Sequence, residues 1–196
     1  MVRIISGECK GRKLRSLKGR KVRPTSDRAK ETLFDMLQTR IKGAKFLDLF
    51  AGTGSVGLEA ASRGASEAVL VESDPEALKV IYGNIVQCRL SRRVRVCGHD
   101  YKSCLAELER NREAFDLVFL DPPYDNESAY PVIQSVWETG LLRERGLVIA
   151  EHDRRLTLPP SYGALVFSRS RQVGDTVFSF YGEPLEPEDS HLPRVL

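Results

Sequence analysis

Phe46-Leu47-Asp48-Leu49-Phe50-Ala51-Gly52-Thr53-Gly54-Ser55-Val56-Gly57 is the stretch that decides the fold. An apolar run of strand length feeds a glycine-rich turn, and Leu58-Glu59-Ala60-Ala61 continues it with helical character. Glycines at 52, 54 and 57 have the spacing by which a strand–turn–helix unit brings its backbone up to a nucleoside ligand. Glu72 stands twenty residues beyond Gly52, at the end of the next apolar run, where a carboxylate can accept ribose hydroxyls.

Outward from this turn the chain alternates strand and helix. Strands are expected near 45–50, 68–72, 94–97, 116–121 and 147–151, with helices near 55–63, 75–90, 101–111 and 126–140, a pattern that argues for a mostly parallel sheet covered on both faces. Ala164-Leu165-Val166-Phe167 and Thr176 to Tyr181 flank Gly174-Asp175 as a terminal hairpin, which adds an antiparallel strand. The acidic, proline-rich tail from Glu183 is expected to be disordered.

A second motif closes the fourth strand. Leu117-Val118-Phe119-Leu120 runs into Asp121-Pro122-Pro123-Tyr124. Proline cannot continue a central ladder, so the strand stops at Asp121 and presents a carboxylate, a carbonyl-rich turn and an aromatic ring at its carboxyl end. Open α/β sheets bind ligands at that end, and this group suits a flat ring bearing an amino group.

The first 30 residues carry eleven Lys or Arg against Glu8 and Asp27, so the net charge of +3 conceals a strongly basic arm on an acidic body. Such an arm favours a polyanion. Val2-Arg3-Ile4-Ile5 and Lys13-Leu14-Arg15 are short strand candidates, and Pro24-Thr25-Ser26-Asp27 starts a linking helix whose apolar residues Ala29, Leu33, Phe34, Leu37 and Ile41 run to Gly43. The division expected is residues 1–43 as a basic nucleic-acid-binding extension, 44–182 as the main domain and 183–196 as the tail.

The glycine turn alone suits either a nicotinamide dinucleotide or S-adenosylmethionine. Three features favour the second. Asp48, inside the end of the first strand, suits a cationic ligand better than a pyrophosphate, which prefers a bare helix amino terminus. Asp100 follows the third strand as an acceptor for an adenine amino group, and the Asp121 turn follows the fourth. The cofactor set is therefore Asp48, Phe50, Gly52, Gly54, Glu72, Ser73, Asp100 and Tyr101. Plainer roles exist for several residues. Asp48 and Asp100 could each cap the following helix, His99 is expected to be structural or exposed, Asn84 carries no assigned chemistry, and Trp137 is expected in the core.

No run approaches membrane-span length and no charged-then-apolar leader opens the chain, so a cytoplasmic protein is expected. The four cysteines contain no Cys-x-x-Cys pair and the three histidines are scattered, so neither a disulfide framework nor a metal site is indicated.

Arg3-Ile4-Ile5-Ser6-Gly7, Gly11-Arg12-Lys13-Leu14, Arg23-Pro24-Thr25-Ser26-Asp27-Arg28, Glu31, Phe34, Leu47 to Gly54, Gly57-Leu58-Glu59-Ala60, Ser62-Arg63-Gly64-Ala65, Glu72 and Asp121-Pro122-Pro123-Tyr124 together resemble the RsmD family. The likeness runs in order from residue 3 to about 181. It implies a class I S-adenosylmethionine-dependent methyltransferase fold with a small N-terminal hairpin and helix extension. The implied activity is methylation of the exocyclic N2 of one guanine in 16S rRNA, by a monomer. The residues implied in catalysis are Asp121, Pro122, Pro123 and Tyr124, and those implied in RNA binding are Lys10, Arg12, Lys13, Arg23, Thr25 and Arg28. Thr53 stands where serine is more usual and Tyr124 where phenylalanine also occurs, and the acidic tail has no counterpart in the resemblance. Two rivals differ in class. A DNA adenine-N6 methyltransferase would use the same turn and cofactor site, and is distinguished by whether the arm prefers duplex DNA. A non-enzymatic RNA-binding module would gain no thermal stability from S-adenosylmethionine.

Overall fold

The computed structural model describes residues 2–17, 25–122 and 130–184. At the amino end the two strand candidates form only a narrow ribbon. Arg3 and Lys13 make one antiparallel bridge, while Ile4 and Arg12, Gly11 and Ile4, and Leu14 and Val2 are joined by backbone hydrogen bonds of 2.8–2.9 Å. The ribbon holds its shape by packing, because Val2, Ile4, Cys9 and Leu14 are buried in the same core as the sheet. Ser26 caps α1 (Asp27–Met36), accepting from the Ala29 N–H. The expected single linking helix is broken at Leu37, where φ −100° and ψ 0° leave the helical region; α2 (Gln38–Ile41) is a separate turn.

The main domain follows the expected alternation. It contains β1 (Lys45–Asp48), α3 (Ser55–Ser62), β2 (Glu67–Val71), α4 (Pro75–Cys88), β3 (Val94–Cys97), α5 (Tyr101–Arg110), β4 (Phe115–Leu120), α6 (Val132–Glu138) and β5 (Leu142–Asp153). Asp74 caps α4, with Pro75 in its first turn where the missing N–H costs nothing. β5 begins five residues earlier than expected. Its pairing with β4 jumps from Phe115–Leu142 to Leu117–Leu147, so residues 143–146 bulge outward, with Arg145 at φ 58°. The terminal hairpin is also longer than expected, with β6 (Ser161–Tyr162), β7 (Leu165–Val173) and β8 (Thr176–Gly182) turning at Gly174, φ 64°. Parts of the helix expected near 126–140, residues 126–129, and of the tail, 185–196, lie outside the described residues.

The eight strands run in the order β3-β2-β1-β4-β5-β8-β7-β6, parallel from β3 to β5 and antiparallel thereafter. Two apolar layers sandwich the sheet. Phe46, Leu117, Phe119 and Ile149 face the extension and α1, α3 and α4; Leu47, Val118, Val148 and Ala150 face α5 and α6. Trp137, expected in the core, packs half-buried against the second layer. A disulfide joins Cys97 at the end of β3 to Cys104 in α5, contrary to the cysteine spacing. The β3–α5 turn explains it by bringing the two Cα atoms to 6.2 Å, within bridging reach. Cys9 and Cys88 are free and buried.

One carboxylate fastens the extension to the sheet. Glu59 of α3 is fully buried and accepts the backbone N–H groups of Ile5 at 2.8 Å and Ser6 at 2.9 Å, with Arg63 Nε at 2.8 Å and Lys30 Nζ at 3.8 Å. Lys30 also donates to the Arg3 carbonyl at 2.6 Å. Burial lowers the lysine's pKa, against the opposing pull of Glu59. Glu59→Ala leaves a buried ammonium and two backbone donors without their acceptor, and should destabilise the fold by about 3–5 kcal/mol, measured by urea unfolding.

Candidate active site

The strand order reverses between β1 and β4, which neighbour each other although β2 and β3 lie between them in sequence. A crevice at the carboxyl ends of the strands is expected at such a point, where Asp48 ends β1 and Asp121 follows β4. Asp48 pairs in register with Phe119, and the Leu49 N–H donates to the Phe119 carbonyl at 3.0 Å.

The glycines of the turn do different work. Gly52 has φ 54°, and no atom lies within 4 Å of the position its Cβ would take, leaving a clear floor for a ligand. A Cβ on Gly57 would lie 1.9 Å from Leu70 Cδ2, so this glycine lets α3 close onto β2. Glu72 holds the turn from beneath: one oxygen accepts the Gly52 N–H at 2.9 Å, the other the N–H groups of Ser73 and Asp74 at 2.8 Å. Phe50 and Tyr101 stand with ring centroids 5.2 Å apart.

Asp48 is only 1% exposed. Its Oδ2 accepts the Gly57 N–H at 3.2 Å, so it does part of a cap's work, but Oδ1 is buried without a partner among the described residues. Burial, with Asp121 and Glu72 adding like charge, pushes its pKa up to about 7. A buried anionic oxygen with no donor fits a cationic ligand group, and the residues present therefore suit an amino-acid ammonium. Asp100 caps α5 by accepting from Lys102 N–H at 3.1 Å and Ser103 N–H at 3.2 Å, and Ser103 Oγ donates to its other oxygen at 2.6 Å. These bonds lower its pKa and realise the plainer of its two expected roles.

Asp121 and Pro122 follow β4 directly, while Pro123 and Tyr124 lie outside the described residues. Burial first, then the Glu151 charge, raises the Asp121 carboxyl well above the ordinary range. Glu151 belongs to no motif that the sequence singles out. It ends the apolar run Leu147-Val148-Ile149-Ala150 as Asp121 ends its own, and the Leu120–Ala150 pairing sets the two carboxylates side by side on neighbouring strands. Glu151 is 4% exposed, accepts the Thr25 hydroxyl at 2.9 Å, and is pushed up to about 7, chiefly by burial.

Lys10, Lys13 and Arg28 are exposed on the extension, and Arg12 reaches the Gln87 carbonyl on α4. Arg23 lies outside the described residues. Thr25 is buried, with its hydroxyl engaged by Glu151. Asn84, given no role from sequence, is buried and ties the extension to the glycine turn: its Oδ1 accepts the Arg15 N–H at 2.8 Å, while Nδ2 donates to the carbonyls of Arg15 at 3.2 Å and Thr53 at 3.0 Å. His99 is exposed. Among the described residues no cluster of His, Cys, Asp or Glu could hold a metal ion, and no helix is long and apolar enough to cross a membrane.

The family model described as conserved hypothetical protein 95 matches residues 2–182. The ribosomal RNA small subunit methyltransferase D of Haemophilus influenzae is 35% identical over 166 residues, covering 84% of this chain and 86% of the relative. The chain belongs to the RsmD family. A hypothetical protein of Thermus thermophilus superposes on this RsmD-family chain with a TM-score of 0.80 at 33% identity, covering 92% of this chain and 98% of that one. An RNA methyltransferase of Salinibacter ruber, solved with S-adenosyl-L-homocysteine, superposes with a TM-score of 0.61 at 19% identity, covering 85% and 98%, which establishes the shared class I methyltransferase fold.

The Asp48 shift has a measurable consequence for this RsmD-family chain. Its pKa is about 7 folded against an ordinary 3.8, so its contribution to stability is full below the lower value and is lost as pH rises through the upper one. Asp48→Asn should therefore gain roughly 2–4 kcal/mol relative to the native chain between about pH 4 and about pH 8, measured by urea unfolding at both.

Proposed function

We propose that this protein transfers a methyl group from S-adenosylmethionine to the exocyclic N2 of a guanine in 16S rRNA. The observation that carries the reading is the convergence, at the reversal of strand order, of a glycine turn with a buried carboxylate at Asp48, one of whose oxygens has no partner among the described residues, and a carboxylate followed by proline at Asp121-Pro122. Membership of a family whose curated relatives are named as small-subunit rRNA methyltransferases supports the RNA substrate.

When bound, S-adenosylmethionine supplies a methyl group on a cationic sulfonium. Asp48 would hold the ammonium, Glu72 the ribose hydroxyls, and the Gly52–Gly54 backbone, Phe50, Ser73, Asp100 and Tyr101 the remainder. The amino nitrogen of guanine is a poor nucleophile because its lone pair is delocalised into the ring. Asp121 and the Pro122 carbonyl accept its two hydrogens and draw the nitrogen toward tetrahedral geometry. As N2 gained the methyl and the S–CH₃ bond broke to leave a neutral thioether, a proton would pass from N2 to the Asp121 carboxylate, whose raised affinity for protons suits it to receive one. Tyr124, outside the described residues, is the expected stacking partner of the extruded base.

The test is methylation of 16S rRNA lacking this modification, with the product nucleoside identified and mapped by mass spectrometry. N2-methylguanosine at one position is expected, whereas N6-methyladenine in DNA would overturn the reading. Asp121→Ala should lower methyl transfer by roughly 10²–10⁴-fold while cofactor affinity by calorimetry stays within about twofold. The exposed cations should set the salt dependence of RNA binding. Replacing Lys10, Lys13 and Arg28 together by alanine should flatten the log–log salt slope by roughly two units, at about 0.7 per phosphate contact, in a filter-binding titration.

A further inference from the structure

Thr25 and Glu151 are 126 positions apart and belong to different parts of the molecule, yet their side chains form a buried hydrogen bond of 2.9 Å. Thr25 directly precedes Ser26, the cap of α1, so its place is fixed by the linking helix. Glu151 is fixed from the other side. Its backbone pairs with Phe178 in β8, and its carbonyl accepts the Tyr130 hydroxyl at 2.8 Å. With both ends of this link rigid, the Glu151 carboxylate is held beside Asp121, one residue beyond the paired Leu120 and Ala150. The burial and strand register put Glu151 on the sheet face shared by Asp48, Phe119 and Asp121, under the extension.

We infer that Glu151 is a positioning residue for Asp121, and that Thr25 is the contact through which the N-terminal extension sets the geometry of the catalytic turn. The inference rests on the assignment of Asp121 as the acceptor of the guanine amino group. The charged groups acting on Glu151 among the described residues are Asp121 from β4 and Asp48 from β1, with Glu72 acting in turn on Asp48; all are carboxylates. Two neighbouring carboxylates with little solvent between them do not both ionise freely, so each governs the proton of the other. Burial pushes the Glu151 carboxyl up, the Thr25 hydroxyl offsets part of that rise, and the charge Glu151 then carries raises the proton affinity of Asp121. The extension thus holds Glu151 beside Asp121, the group that takes the proton leaving N2.

The experiment measures kcat and KM for RNA and cofactor across pH for the native enzyme, Glu151→Gln, Thr25→Val and Thr25→Ser, with thermal melts of each. Glutamine keeps the size of Glu151 and its acceptor for Thr25 but removes the charge. Its plateau kcat should fall roughly tenfold, with both KM values within about twofold. Because Asp121 then ionises without a like charge beside it, the acid limb of kcat should move to lower pH, and the ratio of kcat at about pH 6 to that at about pH 8 should rise severalfold. Thr25→Val should lower kcat without raising the cofactor KM, and Thr25→Ser, which restores the hydroxyl, should recover most of the loss. An active native enzyme with the Glu151→Gln acid limb unmoved overturns the inference alone. Should Glu151→Gln fail to fold, equal kcat in Thr25→Val and Thr25→Ser overturns it. A native enzyme that places no methyl on guanine N2 overturns the inference and the proposed function together.

Discussion

The carboxylate of Glu59 is the constraint on which the rest of the molecule depends. It sits in the helix that begins at the glycine turn, and it gathers two backbone donors from the N-terminal ribbon, an arginine from its own helix's end and the Lys30 ammonium from α1. Lys30 in turn holds the Arg3 carbonyl. An arm rich in like charge, with one bridge of its own among the described residues, has no stable shape alone. Its shape is supplied by a helix of the cofactor-facing layer, so the basic segment and the cofactor turn share one rigid body. Asn84 repeats the device at the second ribbon segment, joining Arg15 to the Thr53 carbonyl within the turn itself.

The same dependence explains why the extension has no core of its own. Ile4, Leu14, Leu33 and Phe34 lie in one cluster with Phe46, Phe119 and Ile149 of the sheet. Stripping the extension would bare that face of β1, β4 and β5 to water, at roughly 25 cal/mol for each Å² of apolar surface. It would also bare Glu151, whose buried carboxylate accepts the Thr25 hydroxyl at the start of the linking helix.

Motifs whose meaning is local were legible in the sequence. The glycine turn, Glu72 after β2 and the proline stop at Asp121 each follow an apolar run within a few residues, and short-range chain geometry sets where they stand; the bonds of Glu72 to the N–H groups of Gly52, Ser73 and Asp74 were not legible. Glu59, Asn84 and Glu151 were not legible, because their partners are 53, 69 and 126 positions away and two of the three bind backbone groups that carry no residue code. A glutamate in a helix reads as solvated until the strand that covers it is known. The break at Leu37, the bulge at 143–146 and the Cys97–Cys104 disulfide are similar: each arises from how one element meets another, which periodicity within an element does not record.

The buried carboxylates divide into two kinds, and the division separates scaffold from site. Glu59 is surrounded by donors and cations, and none of its oxygens is left without a partner. Among the described residues Asp48 keeps one oxygen without a partner, and Asp121 and Glu151 stand at the ends of paired strands with no cation among the groups that shift them. A sequence selected for stability alone would neutralise such groups, since an uncompensated buried charge opposes folding by several kcal/mol. They are tolerated at one place, the carboxyl ends of β1, β4 and β5, where a cationic ligand can answer Asp48 and an amino group can answer Asp121. The unfavourable electrostatics of the crevice are thus the counterpart of its chemistry, held in place by the saturated bonds of Glu59 and Asn84 behind it.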